Sequence, residues 1–494
     1  MFDDRVLIEP VTGLLLDLSQ SPAVADSPAM KAALEAMAAL EAGAIANPDE
    51  GRQVGHYWLR SPALAPPEAG AAVVDSWAQL EALDRGDHDT VLLIGIGGSA
   101  LGPQMVAAAL AQAGDPARLL CLDNTDPEGL RAILGSIEPT RTLCLVASKS
   151  GSTPETRNGM LAAMARYAEA GCRFEDHAVA ITVPGSALHR LSQGQGGPPW
   201  RGALPLWDWV GGRTSVTGMV GLAPMALCGW DWRGLLAGAA AMDAATRGPW
   251  ESNPAAALAA TWLVSGEGRG DKALVIEPYS DRLSLFGRYL QQLIMESLGK
   301  ERDRQGQTVL QGLTVYGNKG STDQHAFLQQ VRDGRADTLV HFIDVVDHGA
   351  DLPVGGGLSA GDYLLGFLLG TEAALQSNGR PSLRIQVPAV HARTLGALVA
   401  LFERAVGLYA ELINVNAYDQ PGVEAGKKAA TLALQALLAL ERRLPAEPAT
   451  AADLAAGLPD ALAWRLLVQL AATGRAVRLA GPRPALDRFA APPG

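Results

Sequence analysis

The sequence predicts an α/β protein with two successive domains, each built on a parallel sheet covered by helices. Short apolar runs alternate with helical segments in a series that begins at Val91, and a second series of the same kind begins at Ala273. Such alternation is typical of βαβ units, whose strands are parallel. The chain of 494 residues is long enough for two or three domains with a substantial core.

Composition and charge exclude several classes of protein. Hydrophobic residues make up 48% of the chain and charged residues 19%, which indicates a globular protein. The net charge of -12 argues against nucleic acid or an anionic membrane as a partner, because both require a basic surface. No apolar run approaches the roughly 20 residues of a membrane span, and the first residues do not resemble a signal peptide. We therefore expect a cytoplasmic protein.

The cysteines point to the same compartment. The four of them are too few and too scattered for a disulfide framework, so we expect buried thiols in a reducing environment. No spacing of cysteine or histidine suggests a metal site. We therefore expect no metal site.

The N-terminal segment is predicted to be mainly helical up to about residue 85. Strong helix formers fill residues 30–46, and the pattern continues from Trp77 to Leu83. Residues 1–44 are predicted to form a helical arm that packs on the first sheet.

The first domain is predicted to span residues 45–250. Its strands are expected in the runs 91–102, 119–123, 142–148 and 178–182, with helices between them such as 103–113 and 155–169. The segment 216–265 is expected to be helical.

The second domain is predicted to span residues 251–430. Strands are expected in the runs 273–279, 313–317, 338–346 and 382–388, and helices at 283–298, 324–332, 359–376 and 394–414. A loop at 417–427 is expected to close the domain. Residues 431–494 are alanine-rich and are predicted to form a small helical extension, whose role the sequence does not indicate.

A loop at the end of one predicted strand has the composition of a phosphate site. Ser148, Ser150, Ser152 and Thr153 supply four hydroxyls, and Lys149 supplies an ammonium. Thr153 and Pro154 suit the N-cap and first turn of the following helix. The N–H groups and dipole of a helix N-terminus favour an anion. The alternative is an ordinary Ser/Thr-rich loop that caps a helix.

A glycine-rich loop follows the first strand of the series. Gly95, Gly97 and Ala100 fit the dinucleotide pattern loosely, with Asp123 as a possible ribose ligand, so a nicotinamide-dependent dehydrogenase is an alternative. The neighbouring hydroxyl-rich loop favours a phosphate monoester over a pyrophosphate. Gly97 and Gly98 would let the backbone approach a ligand, and Ser99 adds a donor.

Six motifs together resemble the phosphoglucose isomerase family. VLLIGIGGSALGP and SKSGSTPET are followed by VGGRTSVTG (210–218), QQLIMESLGK (291–300), GSTDQHAF (320–327) and AYDQPGVEAGK (417–427). They occur in the family's order over roughly residues 45–430. The resemblance implies two sugar-isomerase (SIS) type α/β/α sandwich domains, with the active site between them and across the interface of a homodimer.

The resemblance also implies the reaction and the residues that carry it. The reaction would be the reversible conversion of glucose 6-phosphate to fructose 6-phosphate by ring opening and proton transfer through a cis-enediolate, which requires neither a metal nor an organic cofactor. Glu296 would be the base, Arg213 would stabilise the enediolate, and His325, reaching the partner subunit's active site, would open the ring with help from Lys427. The residues implied to bind substrate are Gly98, Ser99, Ser148, Lys149, Ser150, Thr153, Gln292 and Gln420.

Each of these residues also has an ordinary structural interpretation. Glu296 alone would be a solvated glutamate at a helix end, Arg213 a surface ion pair, and His325 a structural histidine. Two departures from the family pattern occur where an aromatic is usual, at Thr214 and Pro421. A sugar-phosphate sensor without catalysis is the second hypothesis, but binding alone would not need the proton-transfer set. Activity on mannose 6-phosphate is left open by the sequence.

Overall fold

The computed structural model describes residues 5–24, 27–349 and 351–493, without the side chains of 423–425. The chain divides after Asp419 into two compact units. Both large sheets belong to the first unit. The division falls ahead of residue 431, where the C-terminal extension is predicted to begin, and the predicted domain boundaries themselves stay a prediction.

The first sheet has five strands, all parallel. Its order is Arg118–Leu122, Thr90–Ile94, Thr142–Ala147, Ala178–Thr182 and Gly202–Pro205. The three central strands are buried along their whole length and are apolar except for one terminal threonine in each, as expected when helices cover both faces of a sheet. The predicted βαβ series is confirmed, although the strand of the run 91–102 ends at Ile94 and the glycines after it form a turn.

The second sheet has six strands, and the four predicted ones are parallel to one another. Its order is Val6–Glu9, Leu14–Asp17, Ser382–Ala389, Thr338–Asp347, Ala273–Pro278 and Val315–Tyr316. The first two strands form an antiparallel hairpin that extends the sheet beside Ser382–Ala389. The prediction of helix is therefore wrong for residues 6–17. Leu14 and Leu16 are fully buried while the residues between and after them are not, which is the period of a strand.

Helices cover both sheets and fill the space between them. Their bounds in the first unit are Pro28–Glu41, Pro67–Glu81, Leu101–Leu110, Pro127–Gly135, Pro154–Glu169, Ala187–Ser192, Met219–Leu227, Trp232–Ala245, Pro254–Ser265, Phe286–Leu290, Leu328–Asp333, Ala360–Gln376 and Ala392–Leu412. The helix Phe286–Leu290 continues directly into a π-helical segment, Gln291–Glu296. Three short antiparallel pairs complete the unit: Ile45–Asn47 with Arg52–Gln53, Lys300–Arg302 with Thr308–Gln311, and Pro353–Gly355 with Leu358–Ser359.

The helix Ala392–Leu412 lies at the centre of the first unit. Most of its residues are buried, and it packs against Trp232–Ala245, Pro254–Ser265 and Pro28–Glu41. A helix that is buried on nearly all sides belongs to the interior of a large core. Because these partners come from both predicted domains, one hydrophobic core joins the two sheets.

The second unit combines helices with a small sheet. Its helices are Pro421–Arg442, Ala451–Leu454 and Asp460–Ala472, and its antiparallel sheet has the order Ala449–Thr450, Arg488–Ala490 and Val477–Leu479. The loop predicted at 417–427 is helical from Pro421, which suits the first helical position. The three-stranded sheet was not predicted. Among the described residues, no helix has the length and apolar character to cross a membrane.

Candidate active site

The hydroxyl-rich loop 148–153, here called the phosphate loop, lies where the strand Thr142–Ala147 ends. Thr153 is the N-cap of the next helix and Pro154 its first residue, as the sequence predicts. The Ser148 hydroxyl accepts the N–H of Gly151 at 3.0 Å and donates to Thr153 Oγ1 at 3.3 Å. Ser150 and Ser152 share a hydroxyl–hydroxyl hydrogen bond of 2.7 Å. The loop thus gathers its four hydroxyls at a helix N-terminus.

The glycine loop 95–99 follows the neighbouring strand, Thr90–Ile94. Because carboxyl ends of parallel strands meet at one edge of a sheet, this loop and the phosphate loop lie side by side. Gly97, Gly98 and Ser99 form a single helical turn. The loop therefore presents backbone N–H groups and one hydroxyl at the same edge as the phosphate loop.

Gly98 allows the turn that carries Arg213 to approach this edge. A Cβ atom at Gly98 would lie 2.0 Å from the Gly212 carbonyl oxygen and 2.7 Å from the Arg213 nitrogen. No real side chain tolerates such distances, so this position requires glycine. The contact brings Arg213 next to the glycine loop.

The Arg213 side chain is buried, with 4% of its surface exposed, and its guanidinium faces Glu296. The distance from Arg213 Nε to Glu296 Oε2 is 3.4 Å. Its other nitrogens donate to the Ser297 hydroxyl at 3.2 Å and to the Asp419 carbonyl at 3.0 Å. Burial lowers the pKa of Arg213, whereas the charges of Glu296 and Asp419 act in the opposite direction. A guanidinium remains charged under such conditions.

Glu296 is the last residue of the π-helical segment. π-helical segments are rare in proteins, and those that occur are often found at functional sites. The Glu296 side chain is 20% exposed, and in the described part of the chain no donor hydrogen-bonds to its buried Oε2. Gln292 lies on the same segment, with its amide nitrogen 3.2 Å from the Cβ position of Gly97. Gln292, from the predicted second domain, thus reaches the glycine loop of the predicted first domain.

Two site residues were missed by the sequence analysis. Lys300 Nζ donates to Asp419 Oδ1 at 2.6 Å, to the Asp419 carbonyl at 3.0 Å and to the Glu296 carbonyl at 3.3 Å. Burial lowers the pKa of Lys300, and the hydrogen bond that it donates to the Asp419 carboxylate opposes that effect. The sequence could have indicated Lys300 and Asp419, because they lie in the motifs MESLGK and AYDQPG. The pair fixes the end of the π-helical segment against the chain at 417–419.

The Lys149 ammonium is directed to another loop. It donates to the backbone carbonyl of Asp208 at 2.7 Å and to that of Val210 at 3.2 Å. Its predicted contact with a ligand stays a prediction.

His325 ends the short helical turn Thr322–His325, and its side chain is exposed. Within the described part of the chain, the His325 ring makes no hydrogen bond or ion pair with Arg213 or Glu296. Gln420 and Lys427 belong to the second unit, where Gln420 is the N-cap of Pro421–Arg442 and Lys427 lies inside that helix. The assignment of these three residues to the site stays a prediction.

Asp123, the possible ribose ligand of the dehydrogenase alternative, is hydrogen-bonded within the protein. Its Oδ2 accepts a hydrogen bond of 2.8 Å from the Gln104 amide. The dehydrogenase alternative therefore gains nothing from this residue.

Comparison with known proteins identifies relatives of this chain. The sequence profile described as "Phosphoglucose isomerase" matches residues 24–355 and 369–452. The chain is 50% identical to a glucose-6-phosphate isomerase of Thermosynechococcus vestitus, over 97% of this chain and 96% of that protein. It is 52% identical to one of Geobacter sulfurreducens, over 93% and 92% respectively.

The fold is also that of a solved relative. A crystal structure of a glucose-6-phosphate isomerase from Chlamydia trachomatis has a TM-score of 0.80 and 27% identity, covering 88% of this chain and 90% of that one. The prediction of two SIS-type domains with parallel sheets is confirmed. With its motifs, sheets and profile match in agreement, the chain belongs to the phosphoglucose isomerase family.

Proposed function

We propose that the chain catalyses the reversible isomerisation of D-glucose 6-phosphate and D-fructose 6-phosphate, a step shared by glycolysis and gluconeogenesis. The observation that carries the proposal is the pair of Glu296 and Arg213, whose charged groups lie 3.4 Å apart beside the glycine loop. Relatives that are about half identical over nearly their whole length bear the name of this activity.

Glu296 acts as the base that moves a proton between C2 and C1 of the open-chain sugar. A carboxylate needs an accessible lone pair for this role and must return the proton on the same face. The Glu296 side chain keeps 20% of its surface exposed, while its buried Oε2 faces Arg213, so the carboxylate is both accessible and held in place. The open-chain sugar already has a carbonyl beside the carbon that loses its proton, so the route calls for no metal or organic cofactor.

Arg213 stabilises the negative charge that develops on the cis-enediolate oxygen. Fixed charges aimed at a developing oxyanion are usually the largest contribution to such catalysis. The hydrogen bonds from Arg213 to Ser297 and Asp419 hold the guanidinium in place before the substrate arrives.

The phosphate group of the substrate binds at the edge formed by the glycine loop and the phosphate loop. The binding residues are Gly98, Ser99, Ser148, Ser150 and Thr153, with Gln292 and Gln420 binding sugar hydroxyls or phosphate. The gathered hydroxyls and the N-terminus of the helix at Pro154 support this assignment.

His325 and Lys427 open the sugar ring, and His325 serves the partner subunit of a homodimer. The exposed position of His325 beside an apolar surface supports this proposal. Gln324, next to it in sequence, donates to the Phe367 carbonyl of the helix Ala360–Gln376 at 3.1 Å. That helix and the hairpin before it expose Val354, Leu358, Tyr363, Leu365, Phe367 and Leu369. Large exposed apolar patches mark interaction sites.

The protein works in the cytoplasm. Free thiols at all four cysteines support a reducing compartment.

Exchange of deuterium from solvent into the sugar tests the proposed function. Purified protein is mixed with glucose 6-phosphate in D2O and followed by NMR, with the variant E296Q and the control E301Q. Glu301 is an exposed glutamate outside the site. We expect exchange and fructose 6-phosphate with the wild type and E301Q, and neither with E296Q.

The same assay separates the isomerase from a non-catalytic sensor. A wild-type protein that binds glucose 6-phosphate but exchanges no deuterium would contradict the isomerase and favour the sensor. Mannose 6-phosphate in a parallel tube measures how strictly the site enforces the configuration at C2.

A further inference from the structure

The Lys149 side chain connects two loops that the reaction uses differently. Lys149 belongs to the phosphate loop, yet its ammonium donates to the carbonyl oxygens of Asp208 and Val210, at 2.7 and 3.2 Å. Both acceptors are backbone groups of the segment 207–210. That segment runs directly into the turn of Arg213.

The near end of this connection is held on the first sheet. The Lys149 carbonyl accepts the N–H of Val183 at 3.3 Å and the hydroxyl of Thr182 at 3.3 Å. The Thr182 hydroxyl also donates to the Ser148 carbonyl at 2.7 Å. The backbone at Lys149 is therefore fixed to the end of the strand Ala178–Thr182.

The far end is held by several independent contacts. Arg52 donates to the same Asp208 carbonyl at 2.6 Å, and the Gly55 N–H donates to the Trp209 carbonyl at 2.9 Å. The rings of Trp207 and Trp209 stack with centroids 4.8 Å apart. The segment 207–210 is thus an ordered support for the residues that follow it.

We propose that Lys149 is a positioning residue, whose two hydrogen bonds tie the phosphate loop to the segment that carries Arg213. Binding of the substrate's phosphate group in the loop is thereby transmitted to the guanidinium that faces Glu296. The proposal rests on the proposed isomerase function. The phosphate group does not react, but its binding would contribute to catalysis, because binding energy from a remote group can be used to orient the groups at the reacting carbons.

The charge state of Lys149 agrees with this role. Burial and, to a smaller extent, the charge of Arg52 lower its pKa to about 8, against the opposing charge of Asp208. The amine is still mostly protonated at pH 7, so it retains its full set of donors for the two carbonyls.

The test compares K149M with K272M, a matched control. Lys272 also donates to a backbone carbonyl, that of Ala336 at 2.5 Å, but lies before the strand Ala273–Pro278, at the opposite end from the site. The readouts are kcat and KM for glucose 6-phosphate and the inhibition constant of inorganic phosphate. We expect kcat of K149M to fall about 10- to 100-fold, since small displacements of a catalytic group have effects of that size. We expect the phosphate inhibition constant to change less than about threefold, and K272M to match the wild type.

K149Q provides a second variant, because glutamine keeps an N–H donor and loses the charge. A positioning role predicts that kcat of K149Q lies between those of the wild type and K149M. If K149M does not fold, judged by its thermal transition, K149Q is compared with the wild type on kcat and on the phosphate inhibition constant.

Two results would overturn the positioning role. One is a kcat of K149M within about threefold of the wild type. The other is a rise of the phosphate inhibition constant by about tenfold or more, which identifies Lys149 as a direct ligand of phosphate. A wild-type protein without isomerase activity would refute the proposed function itself, so the two failures are distinguishable.

Discussion

The close contact between Gly98 and the Arg213 turn makes G98A a sharp test of the site. The added Cβ would lie 2.0 Å from the Gly212 carbonyl oxygen, and real Cβ contacts stay beyond 3.0 Å, so the turn must retreat by at least about 1 Å. Gly98 has a backbone conformation open to alanine, so the effect arises from this contact alone. Overpacking of this kind costs about 1–3 kcal/mol of stability.

The larger effect is expected on catalysis. A displacement of about 1 Å can reduce a catalysed rate about 100-fold, so kcat for glucose 6-phosphate should fall by that factor. The control is G135A, because a Cβ at Gly135 meets no atom within 4 Å. A coupled assay that follows fructose 6-phosphate measures both variants. If G98A retains the wild-type kcat, the turn does not need its observed position and the role of Arg213 must be revised.

Two further predictions concern stability. D243N should destabilise the fold by about 3 kcal/mol in urea unfolding, because Asp243 pairs with the buried guanidiniums of both Arg60 and Arg404, and its loss leaves each with a single carboxylate partner, Glu403 or Glu41; a loss below about 1 kcal/mol would contradict this. Burial lowers the pKa of His341 to about 4, and Trp262 donates to its Nε2 at 2.8 Å, so the folded ring is neutral. The unfolded ring binds a proton below about pH 6.5, so stability should fall as pH decreases from 6.5 towards 4, by up to about 1.4 kcal/mol per unit, and H341Q should show a shallower slope. Equal slopes for the two proteins would refute the assignment.

The strands of both parallel sheets could be predicted because local composition decides them. Runs such as Thr142–Ala147 are buried at every position and apolar after the first residue, which is the pattern of a strand buried on both faces. The hairpin Val6–Asp17 was missed for the opposite reason. Its strands have four residues each, and their partner, Ser382–Ala389, lies at the other end of the first unit. A pairing of that range leaves no local signal.

In the site, too, the residues marked by local motifs could be predicted, and the contacts formed only on folding could not. Glu296 and Arg213 could be singled out because motifs mark them, and the structure brings their charges together. The direction of the Lys149 side chain could not be predicted, because its acceptors are backbone carbonyls and any sequence provides those. The Lys300–Asp419 pair depends on two segments that meet only after folding.

The π-helical segment sets the direction in which the Glu296 side chain points. A π turn holds one residue more than an α turn, and each residue of a regular helix rotates the next by about 100°. With one residue fewer between Gln291 and Glu296, the segment would form a regular α-helix, and the carboxylate would lie on a different face of that helix. The direction of this side chain is thus set by the number of residues before it as well as by their identity. Substitutions within the segment preserve that count, whereas a single deletion would turn the carboxylate away from Arg213.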